Sequence, residues 1–191
     1  MNELLFTPTE LKEVIAVKPV VHEDERGFFL ETHHQEKYAK GGISDFFIQD
    51  NHSFSKRGVL RGLHAQVEHP QGKLVRVIQG EIFDVAVDIR PDSPTFRQWV
   101  SRTLSGENHL QLWIPPGFAH GFCVLSETAH VHYKCTSLYN KDAEIGILWE
   151  DPSIGIKWPL EKPLLSPKDR DAEPLETFLH RLREHGRRSP A

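Results

Sequence analysis

The sequence of 191 residues is long enough for one domain with its own hydrophobic core, and its 38% apolar and 26% charged residues are typical of a globular protein. A formal net charge of −4 gives no general attraction to nucleic acid, so phosphate groups would have to be recognised by a local cluster of arginines and lysines. No apolar run is long enough to cross a bilayer, and residues 1–11 lack the pattern of a signal peptide, which predicts a cytoplasmic protein without membrane contact.

The first predicted elements are a short helix and two strands. Residues 36–40 favour the helix. Leu74–Ile78 and Ile82–Ile89 are predicted strands, and the second alternates with a period of two, which places one of its faces in a core. Gln79–Gly80 between them has the composition of a tight hairpin turn.

The remaining elements follow the same pattern of short strands. Trp99–Leu104, Leu110–Ile114 and His130–Thr136 are predicted strands, and a C-terminal helix and tail are predicted from about residue 174 to 191. Many short strands with little helix indicate an all-β sandwich, jelly roll or barrel. Because no repeat or linker divides the chain, residues 1–191 are expected to form one domain.

The sequence lacks several motifs of nucleotide-binding and hydrolytic enzymes. There is no G-x-G-x-x-G after a strand, no G-x-x-x-x-G-K-[ST] and no G-x-S-x-G. The chemistry must therefore come from histidine, tyrosine, lysine and carboxylate side chains placed on strands.

Pro115–His120 reads P-x-G-x-x-H and resembles the second half of the cupin signature. In metal-binding cupins this histidine joins an H-x-H pair and a glutamate from an earlier strand, but the earlier strand here reads Leu63-His64-Ala65-Gln66 and lacks the second histidine. Stable zinc or iron sites use three or four protein ligands, so we expect neither a metal nor another cofactor. The remaining H-x-H, at residues 130–132, is predicted to face away from Tyr133.

Nine strings, in order between about residues 20 and 170, resemble the dTDP-4-dehydrorhamnose 3,5-epimerase family. They are Asp24–Phe29, Gln49–Asn51, Leu60–His64, Gln71–Arg76, Phe83–Asp88, Ser93–Phe96, Trp113–Phe122, Tyr133–Lys134 and Ser166–Asp169. The resemblance implies a metal-free, cupin-type β jelly roll with short flanking helices. It also implies a homodimer and a dTDP-linked 4-keto-6-deoxyhexose as substrate.

The resemblance assigns four catalytic residues. His64 matches the base, Asp169 the carboxylate that orients it, Lys73 the cation that stabilises the enolate, and Tyr133 the acid on the opposite face of the sugar. Without the resemblance, His64 would be interpreted as a surface histidine or one satisfied within the packing, Lys73 as a surface group and Tyr133 as a core aromatic. In an ideal strand Arg61 and His64 point to opposite faces, so we predict a bulge or twist near Gly62.

The resemblance also implies a set of substrate-binding residues: Arg26, Phe29, Glu31, Gln49, Asp50, Asn51, Arg61, His120, Tyr139, Glu144 and Lys168. Phe29 is expected to stack on the thymine, and the segment with Arg26 and Phe29 to reach the partner subunit's site. Arginine suits a diphosphate because its guanidinium donates two hydrogen bonds at once. The alternatives are a core position for Phe29 and a surface ion pair for Arg26.

Ala65 and Leu138 depart from the family, which usually has aromatic residues at both positions. The leading hypothesis is inversion of C3 and C5 of dTDP-4-dehydro-6-deoxy-D-glucose, in dTDP-L-rhamnose biosynthesis. One alternative is a 3-epimerase of another deoxysugar pathway, which the two departures could favour. A metal-dependent cupin oxygenase and a non-catalytic sugar-nucleotide-binding jelly roll are alternatives from other classes.

Overall fold

Our computed structural model describes residues 3–180, which fold mainly into short strands. In chain order the strands and helices are β1 (Leu5–Pro8), β2 (Ile15–Lys18), β3 (Val21–Asp24), β4 (Gly27–Leu30), α1 (Gln35–Lys40), β5 (Gln49–Lys56), β6 (Leu60–Gln66), β7 (Lys73–Gln79), β8 (Glu81–Asp88), β9 (Trp99–Ser105), β10 (Gln111–Ile114), β11 (Phe118–Val124), β12 (Thr128–Cys135), β13 (Glu144–Gly146) and α2 (Pro167–Arg170). Residues 175–180 are also helical.

Two sheets face each other across the main core. The larger has the order β1-β2-β10-β7-β12-β5 and the smaller β13-β6-β11-β8-β9, while β3 and β4 form a separate two-stranded hairpin. Apolar residues of both sheets, such as Val75 and Val131 on one side and Ile82 and Phe122 on the other, fill the space between them. The prediction of an all-β jelly roll is confirmed.

Helices cover the outer faces of both sheets. Tyr38 of α1 packs with Trp113 on the six-stranded sheet, and the prediction of a short helix near residues 36–40 is confirmed. On the five-stranded sheet, Leu175 and Phe178 of the predicted C-terminal helix pack with Val85. The remainder of that prediction, from residue 181 onward, lies outside the described residues. No helix within residues 3–180 has the length and hydropathy to span a membrane.

The predicted hairpin at Gln79–Gly80 is wrong. Strand β7 pairs with β10 and β12, whereas β8 pairs with β9 and β11, so the turn carries the chain from one sheet to the other. Gly80 has a φ of +86°, as a tight reversal requires. Turn composition indicates where the chain reverses, but it does not indicate which strands then pair.

The predicted irregularity near Gly62 is confirmed. His64 pairs with His120 and Arg61 with Phe122, so β6 has one residue more than β11 between these two pairs. The extra residue shifts the alternation of β6, which brings both Arg61 and His64 to the interior between the sheets.

A side chain at Gly62 is expected to destabilise the fold. Gly62 has a φ of +108°, and a Cβ there would lie 2.6 Å from the carbonyl oxygen of His120 and 2.7 Å from the Cα of Gly121. Gly62→Ala should therefore lower the free energy of unfolding by about 2–4 kcal/mol, from backbone strain and overpacking together. The control is Gly58→Ala, because Gly58 also has a positive φ, +80°, but its Cβ would meet nothing within 4 Å. Urea unfolding compares the two, and equal losses would contradict the close approach at Gly62.

Candidate active site

The interior between the sheets contains two adjoining cavities, of about 220 and 290 Å³. His64, Lys73 and Tyr133 line both of them. A larger concavity, of about 550 Å³, lies on the β3–β4 hairpin. We place the site in the two interior cavities because the predicted base, acid and cation converge there.

His64 is held by a carboxylate from a distant part of the chain. Its Nε2 lies 2.5 Å from Oδ1 of Asp169, on α2. A carboxylate only accepts hydrogen bonds, so Nε2 carries the proton of a neutral imidazole and Nδ1 keeps its lone pair. Nδ1 lies 3.9 Å from Oε1 of Glu144, beyond hydrogen-bond distance. The neutral ring is therefore arranged to accept a proton at Nδ1.

Asp169 is itself fixed by the start of α2. Ser166 is the N-cap of this helix, Pro167 follows it, and the Ser166 hydroxyl accepts from the Asp169 backbone N–H. The same hydroxyl donates to Oδ2 of Asp169 at 2.8 Å. Burial raises the pKa of Asp169, but hydrogen bonds from His64 and Ser166 outweigh burial and hold that pKa below its usual range. Asp169 is therefore an ionised partner for His64 at neutral pH.

Lys73 and Tyr133 approach the cavities from the sheet opposite His64. Lys73 begins β7 and Tyr133 lies on β12, both in the six-stranded sheet, whereas His64 lies in the five-stranded sheet. Burial lowers the pKa of Lys73 and raises the pKa of Tyr133. At neutral pH the Tyr133 phenol is a proton donor, and it faces the imidazole across the cavity.

A second network surrounds Glu144 at one side of the site. The Tyr139 hydroxyl donates to Oε2 of Glu144 at 2.6 Å, and the ammonium of Lys168 is paired with the same oxygen. Burial raises the pKa of Glu144, but the bonds from Lys168 and Tyr139 and the nearby His64 outweigh burial and hold that pKa below its usual range. This carboxylate is therefore ionised at neutral pH and lies beside the base in the same cavity.

Further predicted residues line the same cavities. Gln49 and Asn51 project from β5 and bond each other at 3.1 Å. Arg61 donates from Nε to the Ser55 hydroxyl at 3.0 Å. His120 lies beside His64 on the neighbouring strand, and its Nε2 is 2.8 Å from Oδ2 of the fully buried Asp84.

Four predicted residues lie away from these cavities in this chain: Arg26, Phe29, Glu31 and Asp50. Arg26 and Phe29 belong to the β3–β4 hairpin, where Arg26 is paired with Asp24 on the surface and Phe29 is 71% exposed. Phe29 is thus not a core residue. Glu31 is paired with Lys37 at 2.9 Å.

Asp50 is the clearest departure from the predicted set. It lies between Gln49 and Asn51 on β5, and strand alternation turns it to the opposite face, where Lys134 donates to it at 2.8 Å. The expected contact of Asp50 with substrate does not agree with this position.

Several functional neighbours were not predicted from the sequence. Ser53 and Phe122 line the cavity, Ser166 supports Asp169, and Asp84 supports His120. Ser166-Pro167 has the sequence of a helix start, and Asp84 is a charged residue at a core position of an alternating strand. Both signals were available in the sequence.

The predicted absence of a metal was based on the broken H-x-H pair. Within residues 3–180, no group of three or more histidine, cysteine, aspartate or glutamate side chains is arranged to hold a metal ion. His130 and His132 lie on the outer face of β12, where the His130 ring bonds His52 at 3.0 Å.

The chain was compared with known families, proteins and structures. A family profile described as dTDP-4-dehydrorhamnose 3,5-epimerase matches residues 8–177. A protein of that name from Methanothermobacter thermautotrophicus is 52% identical over 178 residues, which are 92% of this chain and 96% of that protein. Another from Neisseria gonorrhoeae is 58% identical over 163 residues, 84% of this chain, but the match spans only about half of that protein, 49%.

A solved structure is similar over nearly the whole chain. The crystal structure of dTDP-6-deoxy-D-glucose-3,5-epimerase from Legionella pneumophila, in complex with dTDP-4-keto-L-rhamnose, has a TM-score of 0.91 and 50% identity. It covers 94% of this chain, and 97% of that chain is matched.

The hydrogen bonds and burial of the site predict how the protein's three tyrosines titrate. Burial raises the pKa of Tyr38 and of Tyr133, while the bond from Tyr139 to the Glu144 carboxylate raises the pKa of Tyr139 to about 12. A rise in absorbance near 295 nm should therefore begin only above the ordinary tyrosine value of about 10. Tyr133→Phe and Glu144→Gln assign the individual steps, with circular dichroism to exclude unfolding. A tyrosinate signal with a midpoint at or below that value would contradict the observed environments.

Proposed function

This chain belongs to the dTDP-4-dehydrorhamnose 3,5-epimerase family, and from that membership we propose that it inverts C3 and C5 of dTDP-4-dehydro-6-deoxy-D-glucose to give dTDP-4-dehydro-L-rhamnose. The observation that carries the proposal is the Asp169-oriented imidazole of His64, facing the Tyr133 phenol across a cavity that also holds Lys73. Inversion beside a ketone needs a base on one face of the sugar, an acid on the other and a cation at the oxygen.

The first step is removal of a proton from the carbon beside the ketone. Nδ1 of His64 takes the proton, and the electron pair of the broken C–H bond moves into the C3–C4 or C4–C5 bond while the carbonyl oxygen becomes an enolate oxygen. Ionised Asp169 stabilises the imidazolium that forms and holds the ring in place.

Lys73 stabilises the enolate oxygen. Its ammonium lies in a desolvated cavity, where a charge–charge interaction is much stronger than in water. The same desolvation lowers the Lys73 pKa below its ordinary value, so activity should fall in alkaline solution as this cation is lost.

The second step returns a proton to the opposite face. The Tyr133 hydroxyl gives its proton to the carbon, the electron pair of the enolate forms the new C–H bond, and the ketone is restored. The burial that raises the pKa of Tyr133 favours rapid recovery of its proton from water, and the imidazolium of His64 releases its proton to water. The proton removed is therefore not the proton returned.

We assign the interior cavity of about 290 Å³ to the nucleotide end of the substrate. Gln49, Asn51, Tyr139 and Glu144 line it, and Lys168 is paired with Glu144 at its edge. His120 and Arg61 lie in the other cavity, with the acid and the base, and are assigned to the sugar and the diphosphate.

The protein is proposed to act as a homodimer in which the β3–β4 hairpin completes the partner's site. Two observations support this proposal. Phe28 and Phe29 are exposed, and Arg26 lines a concavity that is separate from the two interior cavities of its own chain.

The free, buried thiols of Cys123 and Cys135 are compatible with a reducing compartment, and we propose a cytoplasmic location.

Deuterium exchange tests the reaction directly. With dTDP-4-dehydro-6-deoxy-D-glucose in heavy water, NMR should detect deuterium at both C3 and C5, because the returned proton comes from solvent. His64→Ala should slow exchange by at least about 100-fold, as expected for loss of a general base. The matched control is His52→Ala, on the outer face of β5, which should exchange like the wild type.

Each other result has a clear meaning. Deuterium at C3 alone would favour the 3-epimerase alternative. No exchange in the wild type would contradict the proposed function, and nucleotide binding without exchange would favour the non-catalytic alternative.

Mixed dimers test the contribution of the hairpin. His64→Ala lacks the base, and the double variant Arg26→Ala/Phe29→Ala lacks the hairpin contacts, so each alone should be nearly inactive. If the hairpin acts in the partner's site, one of the two sites in each mixed dimer is intact, and an equimolar mixture should recover about a quarter of wild-type activity. Subunits must first be exchanged by mild denaturation and refolding. No recovery from a mixture that contains mixed dimers would mean that the hairpin serves its own chain.

A further inference from the structure

Gln66 has a buried side chain that no step of the proposed reaction uses. It is the last residue of β6, two residues after His64, so the two side chains share a face of the strand. Only 7% of Gln66 is exposed. Its amide nitrogen donates to the carbonyl oxygens of His69, at 2.7 Å, and Leu138, at 3.2 Å, and its amide oxygen accepts from the backbone N–H of Asn140 at 2.9 Å.

The three hydrogen bonds join β6 to two loops at the mouth of the site. His69 belongs to the loop between β6 and β7, which leads to Lys73. Leu138 and Asn140 flank Tyr139 in the loop between β12 and β13, which leads from Tyr133 to Glu144. One side chain thus connects the strand of the base to both backbone neighbours of Tyr139.

Other bonds hold this second loop at its two ends. Thr136 exchanges two hydrogen bonds with Gly72, and the Gln71 amide donates to the Ser137 carbonyl oxygen at 2.8 Å. At the far end, the Val67 N–H donates to the Ala143 carbonyl oxygen at 3.0 Å. In the middle, at residues 138–140, the backbone is held by Gln66 and by Gln49, whose side-chain oxygen accepts from the Tyr139 N–H at 2.8 Å. Gln49 lines the nucleotide cavity and Gln66 does not. A substitution of Gln66 therefore tests how the loop is held without removing a group that lines this cavity.

A double inversion makes a particular demand on this loop. After the first carbon has been inverted, the sugar must stay bound or rebind before the second carbon is deprotonated. Tyr139 and Glu144 line the cavity assigned to the nucleotide end, and Tyr139 is the lining residue that comes from this loop. Glu144 is placed by the pairing of β13 with β6, whereas the position of Tyr139 relative to the base is set by the loop that Gln66 holds.

We propose that Gln66 is a positioning residue that keeps the Tyr139 loop closed over the nucleotide end of the bound substrate between the first and the second inversion. The proposal rests on the proposed epimerase function. It predicts that loosening the loop increases loss of the singly inverted sugar more than it slows proton abstraction. The reason is that the bond between His64 and Asp169 and the strand positions of Lys73 and Tyr133 do not involve this loop.

The test is Gln66→Met, which keeps the length of the side chain and removes all three hydrogen bonds. In heavy water, early in the reaction, the free singly deuterated sugar should increase about tenfold relative to the doubly deuterated sugar, which corresponds to loss of one or two net hydrogen bonds. KM should rise, and the rate of the first exchange at saturating substrate should stay within about threefold.

The matched control is Asn108→Leu. Asn108 is also an amide with three backbone hydrogen bonds, to Ser105, Leu110 and Thr103, but it lies in the turn between β9 and β10. Asn108→Leu should lower the melting temperature about as much as Gln66→Met does, without changing the ratio of singly to doubly deuterated sugar. The same ratio in Gln66→Met, Asn108→Leu and the wild type would overturn the proposal.

A second variant covers the case in which Gln66→Met does not fold. Gln66→Glu keeps the acceptor for the Asn140 N–H, but a carboxylate cannot donate to the carbonyls of His69 and Leu138. It should raise the same ratio, and an unchanged ratio in folded Gln66→Glu would also overturn the proposal. Failure of the epimerase function itself would appear separately, as no exchange in the wild type.

Discussion

The hydrogen bond between His64 and Asp169 joins residues 105 positions apart in the chain. On one side it depends on the bulge in β6 that turns the imidazole inward, and on the other on the capped helix start at Ser166. The segment after β13 therefore does more than cover the five-stranded sheet, because it supplies the charge that fixes which imidazole nitrogen is free. Neither the β-sandwich alone nor the C-terminal segment alone would contain a working base.

One physical effect prepares two different groups. Removing a side chain from water disfavours its charged form, so the same cavity lowers the pKa of Lys73 and raises that of Tyr133. The tyrosine holds its phenolic proton more strongly. The lysine, when it carries its proton, is a poorly screened cation that is strongly attracted to a developing oxyanion. The two carboxylates at the site, Asp169 and Glu144, stay ionised against burial because each is bonded by at least two donors.

The alternation of side chains along each strand was enough to predict which of them point into the interior and which point outward in several strands. It placed Tyr133 inward and His130 outward, and it showed that Arg61 and His64 could share a site only if β6 were irregular. Alternation did not identify strand partners, since β7 and β8 follow each other in the chain but lie in different sheets. The catalytic set came from motif resemblance, which also included Asp50, although its side chain lies on the face opposite that of Gln49 and Asn51. Gln66 gave no signal, because its partners are backbone groups of loops whose course the sequence does not reveal.

The bulge in β6 also has a consequence for how this chain tolerates change. The first half of the strand and the half that carries His64 are out of phase by one residue, and only the extra residue near Gly62 reconciles them. A deletion of a single amino acid there would restore a regular ladder and exchange the base for its apolar neighbours, which point to the outer layer. The overall fold could survive such a deletion while the imidazole faced the wrong layer. Length variation across relatives is therefore expected in the surface loops, and a gap between Arg61 and His64 would mark a protein that has given up this chemistry.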